Sequence, residues 1–142
     1  IGEMAKRNLR GAIIPDLPPE EGELYLPAME RHKLDPILLF SPTTPFDRTE
    51  YIARLAKGFI YCVARKGGTG KATDFSDSIG DYLSQCRRAT DLPLAVGFGV
   101  KEKKDVDFLK GKAEIAIIGT ETIRVMEKEG INKIGDFIRS LR

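Results

Sequence analysis

The sequence predicts an α/β fold built on a mostly parallel β-sheet. Three observations support it: five short apolar runs without alternation, helical periodicity between them, and a spacing of ~25 residues per strand–helix unit. Strands that are apolar on both faces are typical of a buried parallel sheet. We therefore expect five consecutive βα units, with right-handed crossovers that place every helix outside the strands. The five runs are residues 12–14, 36–40, 59–63, 93–96 and 115–118.

The segments between these runs have the periodicity and the end signals of helices. Asp47 is a candidate N-cap with Glu50 three residues later, and Gly58 suits a left-handed position after that helix. Asn132 is a candidate cap of the last helix, and Pro27 delays the start of the helix before the second strand. The apolar stripes are Ile52, Leu55 and Ala56; Ile79, Tyr82, Leu83 and Cys86; Val106 and Leu109; and Ile134, Phe137, Ile138 and Leu141.

The composition is that of one soluble domain, which we expect to span residues 1–142 and to be cytoplasmic. The formal net charge of +2 gives no strong field for nucleic acid or an anionic membrane. No apolar run approaches the ~20 residues of a membrane span, and two cysteines cannot form a disulfide framework. The chain begins at Ile1, within a segment that has the pattern of a helix.

Glycine-bearing turns follow the third, fourth and fifth apolar runs. Because the carboxyl ends of parallel strands meet at one edge of a sheet, the three turns are expected to line one site. Glycine lets a backbone N–H approach an anion closely, and a helix N-terminus adds unpaired N–H groups. Tight βα turns that bind no ligand have the same composition. Glycine-bearing turns after three consecutive strands nevertheless favour a phosphate site. The turns are Gly67-Gly68-Thr69-Gly70, Gly97-Phe98-Gly99 and Gly119-Thr120.

Two architectures are built from such units, and a different feature favours each. An open doubly wound sheet can be complete with five strands, whereas a (β/α)₈ barrel needs eight strands and typically ~250 residues. The strand count therefore favours the open sheet, while the phosphate turns and the short helix after them favour the barrel. A flavodoxin-like open sheet would place one strand out of chain order, whereas a barrel segment keeps each strand beside its predecessor.

Five motifs, in order along the chain, carry a resemblance to one family. They are Ile13-Ile14-Pro15-Asp16-Leu17-Pro18 with Glu20-Glu21; Ser41-Pro42-Thr43-Thr44-Pro45; Gly58-Phe59-Ile60-Tyr61 with Gly67-Gly68-Thr69-Gly70; Ala95-Val96-Gly97-Phe98-Gly99; and Ile117-Ile118-Gly119-Thr120. From about Gly11 to the C-terminus, the sequence resembles the tryptophan synthase alpha chain. The resemblance implies the TIM (β/α)₈ barrel family, with the chain as a partial barrel of about five consecutive βα units, the fourth to the eighth.

The resemblance also implies a function and a set of site residues. The family cleaves indole-3-glycerol phosphate to indole and glyceraldehyde 3-phosphate, a lyase step of tryptophan biosynthesis. It passes the indole to a beta chain in an alpha2-beta2 tetramer; pyridoxal phosphate belongs to that beta chain, and no cofactor or metal is expected here. The substrate phosphate would be bound by Gly70, Gly99, Gly119 and Thr120. The substrate-lining and loop-closing residues would be Tyr61, Phe98 and Thr69, and the residues facing the beta chain Asp16 and Pro18.

The family's two catalytic carboxylates correspond to positions before Ile1. They are a Glu on the second barrel strand and an Asp in the loop after it, and acid–base catalysis needs such groups beside the substrate. We therefore expect no catalytic residue in this chain and no lyase activity from it alone. The alternative hypothesis is a non-catalytic (βα)₅ module that binds phosphate or self-associates, because five strands in barrel order leave two unpaired edges and an apolar face.

Four further residues have expected roles. Cys62 and Cys86 are interpreted as buried small apolar residues, since no spacing with other cysteines or histidine indicates a metal site. His32 is expected to be exposed at a helix C-terminus, where its charge is favourable to the helix dipole. Glu121, in the first turn of the helix after the fifth run, would repel a bound phosphate unless its side chain turns outward.

Overall fold

The computed structural model describes residues 1–63, 77–97 and 99–142, in which strands alternate with helices. The strands are β1 (Gly11–Ile13), β2 (Asp35–Phe40), β3 (Ile60–Val63), β4 (Leu94–Gly97) and β5 (Ile115–Ala116). The helices are α1 (Gly2–Lys6), α2 (Tyr25–Arg31), α3 (Phe46–Leu55), α4 (Asp77–Ala89), α5 (Lys103–Leu109), α6 (Thr120–Glu129) and α7 (Ile134–Ser140), with 3₁₀ turns at Pro19–Glu21 and Ile131–Lys133. Among these described helices, none has the length and apolar character needed to cross a membrane.

Strands that are neighbours in the sheet are also neighbours in the chain. The order is β1-β2-β3-β4-β5, and every pair is parallel. This order confirms the five βα units and excludes the flavodoxin-like alternative, in which one strand is displaced across the sheet. Within the described residues, β1 and β5 form the two edges. The register pairs Gly11 with Asp35, Leu38 with Ile60, Ile60 with Leu94, and Ala95 with Ile115.

One face of the sheet is covered more completely than the other. In β2 and β3, buried residues alternate with partly exposed ones. Phe40 and Ile60 are fully buried, whereas Leu39 and Tyr61, on the opposite face, are partly exposed. Burial on both faces is therefore a wrong prediction for these two strands, although β4 is buried along its whole length. The physical reason is that the described helices pack against the face that carries Phe40 and Ile60.

The hydrophobic core lies between that face and the helices. All four residues of the stripe predicted for α4 are at most 9% exposed, which confirms the prediction. Burying a large apolar side chain contributes ~1.5–3 kcal/mol, so this layer is the main source of stability. The strands contribute Leu38, Phe40, Ile60, Cys62, Leu94 and Val96, and the helices contribute Ile52, Ile79, Tyr82, Leu83, Cys86 and Leu109.

Two helix N-termini differ from the sequence prediction. α3 begins directly after Pro45, so Asp47 lies in its first turn and is not the N-cap. The Pro45 carbonyl accepts hydrogen bonds from the Thr49 N–H at 2.9 Å and the Thr49 hydroxyl at 3.0 Å, which fixes this start. α7 begins at Ile134, because Asn132, the predicted cap, already lies in a 3₁₀ turn.

Strand and helix ends elsewhere follow the sequence more closely. Gly58 has a φ of +79°, which confirms the left-handed position, although α3 already ends at Leu55. β5 ends at Ala116, two residues before the end of its apolar run. The Ile117 N–H nevertheless donates to the Val96 carbonyl at 2.8 Å, so the chain still lies against β4 as it leaves the strand.

A polar network joins the end of α4 to the starts of β4 and β5. The Arg87 guanidinium donates to the Glu114 carboxylate at 2.6 Å and to the Leu92 carbonyl at 3.0 Å. The same carboxylate accepts the Leu94 N–H at 2.7 Å. These hydrogen bonds, first the one from Leu94, lower the pKa of Glu114. The network therefore fixes where β4 and β5 enter the sheet, and with it where their carboxyl ends lie.

Candidate functional site

The turns after β4 and β5 lie side by side at the carboxyl edge of the sheet. The two strands pair in parallel, and Gly99 and Gly119 follow their ends within three residues. Gly99 has a φ of +103°, a conformation that side-chain-bearing residues rarely adopt. The structure therefore brings together two of the glycines that the sequence assigned to phosphate binding.

The N-terminus of α6 opens directly onto this edge. Gly119 is its N-cap and Thr120 its first residue, and no side chain of the described residues caps the helix. A Cβ atom placed on Gly119 would meet no atom of residues 1–63, 77–97 and 99–142 within 4 Å, so these residues leave space open beside the backbone. Uncapped N–H groups and the positive end of the helix dipole make this a suitable position for an anion. The Thr122 hydroxyl donates to the Ile118 carbonyl at 2.8 Å and turns away from the first N–H groups.

The carboxylate of Glu121 is partly neutralised within its own helix. The Arg124 guanidinium donates to it at 2.9 Å. An opposite charge one turn along the helix directs the negative charge away from the N-terminal N–H groups. From the sequence we expected Glu121 to repel a bound phosphate unless its side chain turned outward. The ion pair with Arg124 reduces that repulsion.

Tyr61 lies on the less covered face of the sheet, with its ring across Gly97 of the neighbouring strand. A Cβ atom on Gly97 would lie 2.0 Å from the Tyr61 hydroxyl oxygen and 2.4 Å from Cζ. Only glycine leaves room for the ring at this position. Burial raises the pKa of Tyr61, so its hydroxyl is uncharged near neutral pH. The ring therefore lies against Gly97, the last residue of β4, two residues before Gly99.

Three of the predicted site residues lie outside the described residues. They are Thr69, Gly70 and Phe98. Their assignments to loop closure, phosphate binding and substrate lining stay predictions from the sequence.

The loop after β1 carries Asp16 and Pro18, the two residues assigned to a partner surface. Asp16 is exposed and Pro18 is partly exposed. The Arg48 guanidinium of α3 binds both carboxylate oxygens of Glu20, at 2.5 and 3.0 Å, and lowers the pKa of Glu20. This pair holds the loop after β1 against α3. Sequence reasoning did not find the pair, because the two residues are 28 positions apart and no periodicity links them.

Three further residues lie where the sequence analysis expected them. Cys62 and Cys86 are buried, as expected, and His32 is exposed at the C-terminal end of α2. Among the described residues, no group of three or more His, Cys, Asp or Glu side chains is arranged to hold a metal ion.

Comparison with known proteins identifies the family. The family model described as "Tryptophan synthase alpha chain" matches residues 1–140. The chain belongs to the tryptophan synthase alpha chain family. A relative with that name from Desulforapulum autotrophicum is 57% identical over 141 residues, which cover 99% of this chain and 56% of the relative. The chain thus spans about half the length of the curated relatives that it matches.

Solved structures of the family share the fold. Tryptophan synthase subunit alpha from Campylobacter jejuni aligns with a TM-score of 0.85 and 29% identity, over 99% of this chain and 57% of that one. The tryptophan synthase a2b2 complex from Pyrococcus furiosus aligns with a TM-score of 0.82 and 24% identity, over 98% of this chain and 56% of that one, and shows the fold alone. The α/β partial barrel predicted from the sequence is thereby confirmed.

Proposed function

We propose that residues 1–142 form one partial-barrel domain that contributes the phosphate-binding half of a tryptophan synthase alpha-type lyase. The substrate class is indole-3-glycerol phosphate, and the pathway is tryptophan biosynthesis. The observation that carries the proposal is the N-terminus of α6 at Gly119 and Thr120, which no described side chain caps and which lies next to the left-handed Gly99. Membership of the alpha chain family supports the choice of substrate.

The phosphate is bound in this proposal by backbone N–H groups rather than by a cationic side chain. Gly99, Gly119 and Thr120 supply described N–H groups, and Gly70 supplies another by resemblance. The Tyr61 ring lies against the indole and glycerol part of the substrate, together with Phe98, and Thr69 belongs to the loop that closes. Charge-assisted N–H hydrogen bonds of this kind contribute ~1.5–3 kcal/mol each.

The catalytic acid–base groups of this reaction come, in this proposal, from a Glu and an Asp outside residues 1–142. Glu121, the described carboxylate in the first turn of α6, forms an ion pair with Arg124. The 142-residue polypeptide alone is therefore expected to bind the substrate phosphate without cleaving the substrate. The alpha chain needs no cofactor of its own in this reaction, because the pyridoxal phosphate step belongs to a beta chain.

Calorimetric titration with indole-3-glycerol phosphate tests the phosphate site. Gly119→Ala puts a methyl group into the space beside the α6 N-terminus without touching an atom of the described residues, so we expect the fold to be kept. Loss of one or two phosphate hydrogen bonds is expected to weaken binding by ~10-fold or more. Gly80→Ala, on α4, is the matched control, because its Cβ would meet only Lys112 Cε at 3.9 Å. Equal affinity in both variants would refute the assignment, and cleavage by the polypeptide alone would refute the role given to outside carboxylates.

A beta chain is the partner that we propose for the loop after β1. Asp16 is exposed and Pro18 is partly exposed in this loop, and the Glu20–Arg48 ion pair links the following 3₁₀ turn to α3. Asp16→Lys should abolish co-elution with a tryptophan synthase beta chain on size-exclusion chromatography. Asp91→Lys, in the exposed turn before β4, is the control with the same change of charge. Loss of co-elution in both variants, or in neither, would contradict this surface.

A second candidate function, the self-associating half-barrel, is favoured by the exposed apolar residues at the two edges of the sheet. They are Ile1, Leu9, Ile13 and Ile14 near β1, and Ile115, Ile123, Met126, Ile131 and Ile138 on and after β5. Apolar patches on both edges promote association with complementary strands or with a second copy. Sedimentation velocity of this chain, mixed with a polypeptide that contains barrel units one to three of a relative, distinguishes the enzyme from the self-associating module. A heterodimer with lyase activity supports the enzyme, and a persistent inactive homodimer supports the module.

A further inference from the structure

Asp105, in the first turn of α5, carries a buried carboxylate. Among the residues that the structure describes, it is the one Asp or Glu that is buried, with an exposed fraction of 7%. Moving a carboxylate out of water is costly unless hydrogen bonds compensate the loss of hydration. The function proposed above does not use this residue, so the partners of its carboxylate show what the burial achieves.

The Asp105 carboxylate binds the backbone of the loop between β4 and α5. The Lys101 N–H donates to Asp105 Oδ2 at 2.8 Å, and the Glu102 N–H donates to the same oxygen at 3.1 Å. In the opposite direction, the Glu102 carbonyl accepts the Asp105 N–H at 3.1 Å. Hydrogen bonds to a charged acceptor are stronger than those between neutral groups. Asp105 therefore fixes residues 101 and 102 relative to α5.

The loop that Asp105 binds continues directly from the turn that carries Gly99. Gly99 has a φ of +103°, and Val100, which follows it, is buried in the hydrophobic core. The turn is thus held on one side by Gly97, the last residue of β4, and on the other by Val100 and the loop bound to Asp105. Glycine adopts positive and negative φ angles about equally readily, so the conformation of Gly99 depends on these neighbours.

The backbone N–H groups before α5 and those at the start of α6 differ in their partners. Before α5, the N–H groups of Lys101 and Glu102 are bound to a carboxylate of the protein itself. At the start of α6, no side chain of the described residues caps the helix. An anion would have to displace Asp105 to bind before α5, whereas no described side chain competes for the first N–H groups of α6. Asp105 therefore directs an anion towards Gly99 and the start of α6.

We propose that Asp105 is a positioning residue for the phosphate site. Its carboxylate holds the loop after β4, and through that loop it keeps Gly99 in the left-handed conformation in which the Gly99 N–H binds the phosphate. Asp105 itself makes no contact with the substrate. Preorganisation of this kind raises affinity, because the loop does not have to be ordered when the ligand binds. The inference rests on the proposed function, which assigns Gly99 to the phosphate.

Calorimetric titration with inorganic phosphate tests this positioning role. In Asp105→Ala the two N–H groups lose their acceptor, and affinity for phosphate is expected to fall ~10-fold, the equivalent of about one charge-assisted hydrogen bond. Asp105→Asn keeps an oxygen at this position, and both N–H groups donate to a single oxygen, so it should bind phosphate at least as tightly as the unsubstituted chain. Glu102→Ala is the control for the change of charge, because it removes a carboxylate from an exposed ion pair with Lys104. It should not weaken binding, since loss of a negative charge reduces repulsion of the anion.

The outcomes separate positioning from helix capping, from charge and from the proposed function itself. A lower melting temperature of Asp105→Ala with unchanged phosphate affinity would show a helix cap and no positioning role. Equal affinity in Asp105→Ala and Asp105→Asn, or equal weakening in Glu102→Ala, would also overturn the inference. Failure of the unsubstituted chain to bind phosphate would overturn the proposed phosphate site, and the inference with it.

A second measurement uses only the unsubstituted chain, so it decides the question even where Asp105→Ala does not fold. Phosphate is added to the isotope-labelled protein, and the amide resonances are followed by nuclear magnetic resonance. The resonances of Gly99 and Gly119 should shift more than those of Lys101 and Glu102, whose N–H groups stay bound to Asp105. Larger shifts at Lys101 and Glu102 would place the anion before α5 and refute the inference.

Discussion

The contact between Tyr61 and Gly97 gives a sharp test of the site geometry. In Gly97→Ala, the new methyl carbon would lie 2.0 Å from the Tyr61 hydroxyl oxygen, 2.4 Å from Cζ and 3.0 Å from Cε1. Ordinary contacts between such atoms lie near ~3.5–4.0 Å, so the ring or the strand must move by more than ~1 Å. Overpacking of this kind costs ~1–3 kcal/mol, and we expect the free energy of unfolding to fall by that amount.

A double-mutant cycle separates this clash from a general effect of alanine in β4. Tyr61→Ala removes the ring, so Gly97→Ala should cost little in its presence, with a coupling energy of ~1–3 kcal/mol. Tyr61→Phe should not rescue, because Cζ and Cε1 remain within 3.0 Å of the methyl carbon. The assay is urea unfolding followed by far-ultraviolet circular dichroism, with Gly80→Ala as the unstrained control. Additivity of the Gly97→Ala and Tyr61→Ala effects within ~0.5 kcal/mol would refute the reasoning.

Three further changes test the packing and the polar network. The lowered pKa of Glu114 stabilises the fold above the ordinary Glu pKa, and this stability is lost as the pH falls through the lowered value. In Glu114→Gln, the free energy of unfolding measured in urea should therefore depend less steeply on pH on the acid side. An unchanged slope would contradict this expectation. Tyr82→Phe removes a buried hydroxyl that has no hydrogen-bond partner among the described residues, so the free energy of unfolding should stay unchanged or rise by up to ~1 kcal/mol. A clear loss of stability in thermal unfolding would contradict this expectation. Phe40→Ala opens a cavity at a fully buried position and should cost ~3–5 kcal/mol in urea unfolding; a cost below ~1 kcal/mol would place Phe40 outside the core.

The sequence predicted the strands better than their ends and their contacts. Five apolar runs were enough to locate β1 to β5, because a buried parallel strand must be apolar along most of its length. The predicted start of α3 was wrong because the helix already begins at Phe46, directly after Pro45, so Asp47 lies in the first turn and no side-chain hydrogen bond caps the helix among the described residues. The burial pattern of β2 and β3 depends on which face the helices cover, and that is decided by tertiary packing.

The candidate site was predictable only in part, for a similar reason. Glycines after consecutive strands indicated Gly99 and Gly119, because the topology of parallel strands brings such turns together. The Tyr61–Gly97 contact depends on the register of β3 against β4, which composition does not reveal. The roles assigned to all site residues stay predictions, and Thr69, Gly70 and Phe98 also lie outside the described residues.

The order of the strands has a consequence for how the sheet folds and how its parts unfold locally. Since each strand pairs with its predecessor in the chain, contact order is low for a parallel sheet, and the units can add one after another. β3 has a neighbour on both sides, whereas β1 and β5 each have one within the described sheet. Amide hydrogen exchange should therefore be slowest in β3 and should become faster in steps towards each edge, so that the edges exchange with solvent long before the centre unfolds.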